Sequence, residues 1–182
     1  MEGKTMFCYQ CEQAAKGEAC VKTGVCGKDP DVSALQDLLV YALKGLSLYA
    51  VEGRKVGISD RKADVFSVEG LFSTLTNVNF DPDRFVKWIN QCVQLREELK
   101  EKVRAKGGKV DFSDGPAAFK PEKNLPALIA QGKTAGMKSD PTINADILSL
   151  QHTLLFGLKG LAAYADHAQI LDCGRYPRRD FI

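Results

Sequence analysis

The sequence predicts an all-α protein. It opens on a cysteine-rich loop and continues as two tandem three-helix-bundle units, the second of them incomplete. Three observations carry this. Beyond residue 30, apolar residues recur at three- and four-residue spacing along most of the chain. Asp-Pro occurs three times, at Asp29-Pro30, Asp81-Pro82 and Asp140-Pro141; a capping aspartate followed by proline at the first helical position is a helix start. No run alternates apolar and polar residues between hairpin turns. The 182 residues are 45% hydrophobic and 26% charged, a globular composition with enough chain to bury a core without disulfides.

Residues 1–30 are rich in Cys, Gly, Gln and Lys and lack helical periodicity, so they read as a loop organised by something other than a core. The first bundle is expected over 31–106. Its first helix follows Pro30 to about Arg54, with Leu35, Leu38, Leu39, Ala42, Leu46 and Tyr49 on one face, and Ser33-Ala34-Leu35-Gln36 fits a capping box. A second helix is expected near Val65–Asn77. A third starts at Pro82, carries Phe85, Ile89, Cys92, Val93, Leu99 and Val103, and stops at Lys106-Gly107-Gly108. Gly107, Gly108, Gly115-Pro116, Pro121 and Pro126 mark a connection over 107–139, with a short helix near Leu125–Gly132. A last long helix from Pro141 to about Ile170 opens the second bundle, over 140–182.

That last helix echoes the first. Residues 35–50 read LQDLLVYALKGLSLYA and residues 150–165 read LQHTLLFGLKGLAAYA, identical at nine of sixteen positions at an offset of 115. Gly45 and Gly160 fall in mid-helix, where glycine costs about 1 kcal/mol relative to alanine. Close helix–helix approach is the expected reason, and a repeated three-helix unit would explain the echo.

Composition excludes some functions. With 25 Lys+Arg against 23 Asp+Glu, no basic excess points to nucleic acid. The N-terminus has no apolar signal segment. The most apolar run, Leu38–Val51, is interrupted by Lys44 and too short for a bilayer. The expected compartment is the cytoplasm, where clustered cysteines hold metal or do redox chemistry.

Four of the six cysteines fall within 19 residues, as Cys8-x2-Cys11-x8-Cys20-x5-Cys26. Two residues between thiolates let both face one centre, and four thiolates suit zinc or an iron–sulfur cluster. Zinc ribbons separate two C-x2-C pairs by a dozen or more residues. The asymmetric, compact spacing here leans toward a [4Fe–4S] cube, with Zn2+ as the alternative. Gly17, Gly24 and Gly27 would let the backbone wrap closely and aim amides at sulfur. Lys16, Lys22 and Lys28 either raise the potential of such an anionic centre or point to water. His152 and His167 are fifteen residues apart, so they make no ligand pair. Cys92 reads as a core residue, and Cys173 has no assigned role. Glu12 and Asp37 show no partner for acid–base work. No phosphate-binding loop, dinucleotide fingerprint or nucleophile elbow is present. A redox domain and a zinc-stapled helical interaction module without redox role are the two readings.

The run Met6-Phe-Cys-Tyr-Gln-Cys-Glu-Gln13, the run Cys20…Gly24-Val-Cys-Gly-Lys28 and the paired Leu-Lys-Gly-Leu motifs resemble the N-terminus of the hybrid-cluster proteins, also called prismane proteins or hydroxylamine reductases. Phe72–Phe80 and Tyr164–Ala168 resemble the same family, so the likeness covers about Met6 to Leu171. The resemblance implies an all-helical N-terminal domain of two three-helix bundles. It implies that Cys8, Cys11, Cys20 and Cys26 bind a cubane, the tight spacing being the [4Fe–4S] version rather than the [2Fe–2S] one. It implies reduction of hydroxylamine to ammonia, or of nitric oxide, as a defence against nitrosative stress. That reaction takes place at a second, hybrid iron–sulfur–oxygen cluster whose ligands come from later α/β domains. Those domains would follow residue 171, and the stretch from Cys173 to Ile182 does not resemble the family's continuation. The expectation is a chain that holds the first cluster, receives electrons from a donor protein, and has no catalytic residues of its own.

Overall fold

The computed structural model describes residues 5–113, 115–136 and 142–171. Among them, the ordered elements are helical apart from one isolated antiparallel bridge between Cys8 and Cys20. Helix α1 spans Pro30–Lys55, α2 Arg61–Ser73, α3 Pro82–Ala105, α4 Gly115–Ala118, α5 Leu125–Ala135 and α6 Ala145–Leu171.

Local chemistry sets the helix starts. Asp29 Oδ1 accepts from the amides of Asp31 and Val32, both at 2.8 Å. Asp81 Oδ1 accepts from Asp83 and Arg84 at 3.0 and 3.3 Å. The capping box expected at Ser33–Gln36 does not form, because Asp29 already caps α1. Gln36 is instead buried, and its Nε2 donates to the Asn79 carbonyl at 3.0 Å, pinning the turn after α2 to α1.

Helix α2 begins at Arg61, not Val65, and ends at Ser73, short of Asn77. Asp60 caps it, accepting from the Ala63 amide at 3.1 Å while Lys102 of α3 donates to its other oxygen at 2.6 Å. Asn77 takes a left-handed φ of +63°, which asparagine tolerates but a helix cannot continue through. Helix α6 starts at Ala145, not Pro141. Asn144 Oδ1 accepts from Asp146 and Ile147 at 2.9 and 3.3 Å. The Asp140-Pro141 start expected there lies outside the described residues.

The core is built around α1. Leu35, Leu38, Leu39, Leu46 and Tyr49 are each at most 1% exposed, facing Phe85, Ile89, Cys92, Leu99 and Val103 of α3. Each such large side chain contributes about 1.5–3 kcal/mol by leaving water. The segment after α3 joins the same core through Val110, Phe112, Ala117, Phe119 and Leu128. Buried Arg96 ties it down, donating from Nη1 to the carbonyls of Pro116 and Phe119 at 3.1 and 2.8 Å. The backbones come close: a Cβ on Gly45 would stand 2.2 Å from the Pro116 carbonyl oxygen, and one on Gly132 2.2 Å from that of Ala34. At Gly160 a Cβ would meet nothing within 4 Å. The close approach expected at both glycines of the echo therefore exists only at the first.

By length and apolar composition α1 could cross a membrane, contrary to the reading that no segment could. Most of its apolar stretch is enclosed by the other helices, as befits a core helix. Helix α6 lies against α2, where His167 meets the Phe72 ring edge-on at 5.2 Å, and against the cysteine loop.

Candidate metal centre

The four cysteines expected as ligands lie on one loop folded back on itself. The Cys8 amide donates to the Cys20 carbonyl at 3.1 Å and the Cys20 amide returns to Cys8 at 2.8 Å, while Met6 donates to Val21 at 3.1 Å. The first and third cysteines are thus held side by side. After Cys11 the chain turns through Ala15–Gly17, with Lys16 and Gly17 at φ +60° and +71°. A second tight turn encloses Cys26: the Gly24 amide donates to the Lys28 carbonyl at 2.8 Å, and Gly27, at φ +89°, donates to Gly24 at 2.9 Å. A Cβ on Gly24 would stand 3.1 Å from the Cys26 sulfur, so a larger residue here would press on the thiol. Cys20 is buried and Cys8, Cys11 and Cys26 are half-buried, all as free thiols.

The side chains between the first two cysteines fasten the loop to the helices. Gln10 Nε2 donates to the Thr74 carbonyl at the end of α2 at 3.2 Å, and Gln10 Oε1 accepts from Lys159 Nζ of α6 at 2.9 Å. Tyr9 hydrogen-bonds His152 Nδ1 and packs edge-on against Phe156, with ring centres 5.5 Å apart. Burial raises the Tyr9 hydroxyl above its ordinary value. Burial, then the charge of Lys44, lowers His152.

Two cations are enclosed beside the thiols. Lys28 and Lys159 are 2% and 3% exposed. Lys159 is pushed down to about 8, first by burial and then by repulsion from Lys28, with Asp37 and Cys8 pulling the other way. Lys16 and Lys22, by contrast, are exposed, as is Glu12. Asp37 is half-buried and acts on Lys159 through its charge. Cys92 sits fully in the core, where burial pushes its thiol up to about 12. His167 is exposed and distant in sequence from the loop, and Cys173 lies outside the described residues. Among the described residues no three His, Cys, Asp or Glu side chains converge as ligands of a single ion.

Gln10 and Lys159 are the residues that the sequence left without a role, and of the three lysines among the cysteines only Lys28 is enclosed. Nothing in the pattern distinguishes Lys159 from its counterpart Lys44, which is exposed. The donor set itself fits a soft-ligand anionic centre: four thiols on one short loop, a glycine cradle around the fourth, and two enclosed cations nearby.

The sequence matches the family described as the Prismane/CO dehydrogenase family over residues 6–177. The match therefore runs past Leu171 into the segment that was expected not to resemble the family. Similar curated proteins bear the name hydroxylamine reductase. The protein of Syntrophobacter fumaroxidans is 65% identical over 91% of this chain and 31% of its own length. That of Methanocella arvoryzae is 56% identical over 91% and 31%. That of Solidesulfovibrio magneticus is 53% identical over 91% and 30%. The chain thus spans about a third of the length of these relatives.

Proposed function

Because the chain belongs to the Prismane/CO dehydrogenase family, we propose that it forms the N-terminal electron-transfer domain of a hydroxylamine-reductase-type oxidoreductase. Cys8, Cys11, Cys20 and Cys26 would hold a [4Fe–4S] cluster. The observation that carries this is the pairing of the folded four-thiol loop with enclosed Lys28 and Lys159. Buried cations are costly unless an opposite charge compensates them, and four thiolates around iron supply one. When bound, the cluster accepts and passes on single electrons. The chain's residues shape its surroundings. The Cys8–Cys20 backbone pairing sets two thiols side by side, and Gly24 leaves room for the Cys26 thiol. Gln10 and Tyr9 lock the loop to α2 and α6.

On this reading the reducing site for hydroxylamine, or nitric oxide, is a hybrid cluster in the part of the relatives that this chain does not cover. A donor protein delivers electrons at the exposed side of the loop, and the cytoplasm is the compartment that keeps the thiols reduced. Anaerobic reconstitution tests the proposal. The expected result is about four iron and four sulfide per chain and a broad visible band that dithionite bleaches. The 182 residues alone should show no hydroxylamine turnover. A colourless protein carrying about one zinc per chain supports the rival, a zinc-stapled interaction module.

A further inference from the structure

Lys159 is 3% exposed, and the proposed function uses its charge but not its hydrogen bond. It belongs to the second Leu-Lys-Gly-Leu motif, on a helix more than 130 residues beyond the cysteines in sequence. Its ammonium donates to Gln10 Oε1 at 2.9 Å, and Gln10 Nε2 donates onward to the Thr74 carbonyl at 3.2 Å. One glutamine between two of the cysteines therefore bridges α6 to the end of α2. Both ends of its amide are used, so its orientation is set by the two bonds together. Lys28, whose charge repels that of Lys159, adds a second enclosed cation. Asp37 offsets one of the two positive charges of Lys28 and Lys159, which leaves one before the thiolates are counted.

We propose that Lys159 is a positioning residue. It orients the Cys8–Cys11 turn through Gln10, and its charge raises the reduction potential of the thiolate centre. The second part rests on the cluster reading above; the first does not. The physical ground for the first is that a charge-assisted hydrogen bond from an enclosed donor is stronger than a neutral one in water. The ground for the second is that reduction adds negative charge, which a nearby enclosed cation favours.

The test uses the full chain isolated anaerobically, with Lys159→Met, Lys159→Arg, Gln10→Leu, the Lys159→Met/Gln10→Leu double variant and, as control, Lys87→Met at an exposed lysine of α3. Hydrogen exchange over residues 6–14 is read whichever metal the chain carries. Exchange there should speed up about tenfold in Lys159→Met and in Gln10→Leu, with the double variant no faster than either single one. Lys159→Arg should recover part of the protection, and Lys87→Met should match the parent. Unchanged exchange in Lys159→Met, or fully additive effects in the double variant, overturns the positioning role. In reconstituted protein, Lys159→Met should keep its iron content and show a lower midpoint potential, while Lys159→Arg stays near the parent. An unchanged potential at unchanged iron content overturns the charge role. A parent chain that binds zinc instead of iron and sulfide overturns the cluster reading and the charge role with it, and the exchange result still decides the positioning role.

Discussion

Helices α1 and α6 share nine of sixteen aligned residues, yet they turn opposite faces to the protein. In α1 the leucine stripe points inward: Leu39 and Tyr49 are 0% exposed, and Lys44 faces solvent. In α6 the equivalent Leu154 and Tyr164 are 64% and 79% exposed, and the equivalent lysine, Lys159, is buried with Ala162 and Asp166. Helix α1 is enclosed by α2, α3, α4 and α5, whereas α6 meets α2 and the cysteine loop. An amphipathic pattern therefore states which residues share a face, but the neighbours decide which face is buried. The same motif makes a core in one place and a cation beside the thiols in the other.

Matched substitutions can break or sharpen this comparison. The largest effect is expected from leucine truncation. Leu39→Ala should cost about 2–5 kcal/mol in urea unfolding, through lost burial and a cavity. Leu154→Ala should change stability by less than about 0.5 kcal/mol. Equal losses at the two sites would show that α6 is as enclosed as α1. The glycines should differ in sign. Gly45→Ala forces a Cβ against the Pro116 backbone and should destabilise by about 1–3 kcal/mol. Gly160→Ala meets open space and should stabilise by up to about 1 kcal/mol, read as a shift in melting temperature.

Helix starts should respond alike, because capping is local. Asp29→Ala and Asn144→Ala each remove two amide bonds and should cost about 1 kcal/mol, with a visible loss of helical signal. A cost at only one of them would show that the neighbours also set the starts.

The smallest effect concerns the thiols. Cys92 should resist alkylation at pH 8 in the folded chain while the exposed edges of the loop cysteines react, because burial holds its thiol near 12. Its raised value contributes stability that is complete below the ordinary 9.0 and is lost as pH rises toward about 12. At pH 9 the loss is a few tenths of a kcal/mol by that linkage, so a pH series from 7 to 10 should fall gently in the parent and less in Cys92→Ala.

Much of this was legible in the residues themselves. Asp29-Pro30 and Asp81-Pro82 mark the starts of α1 and α3 because the capping bonds span at most three residues. Asp60 and Asn144 cap just as well, but no proline follows them, and so α2 and α6 begin away from their expected places. The four thiols announce themselves by spacing. Their fastening does not: Gln10, Gln36 and Lys159 are polar residues whose partners lie 43 to 149 residues away.

By itself the sequence determined the all-helical class, two of the main helix starts and four thiols in one short loop. Each follows from hydrogen bonds, φ preferences or thiol chemistry among residues close along the chain. Only the tertiary structure decided that Gly45 and not Gly160 meets another backbone. It alone decided that Lys159 rather than Lys44 is enclosed beside the thiols. Burial is a property of what surrounds a residue, and two helices built on the same motif with different surroundings bury opposite sides.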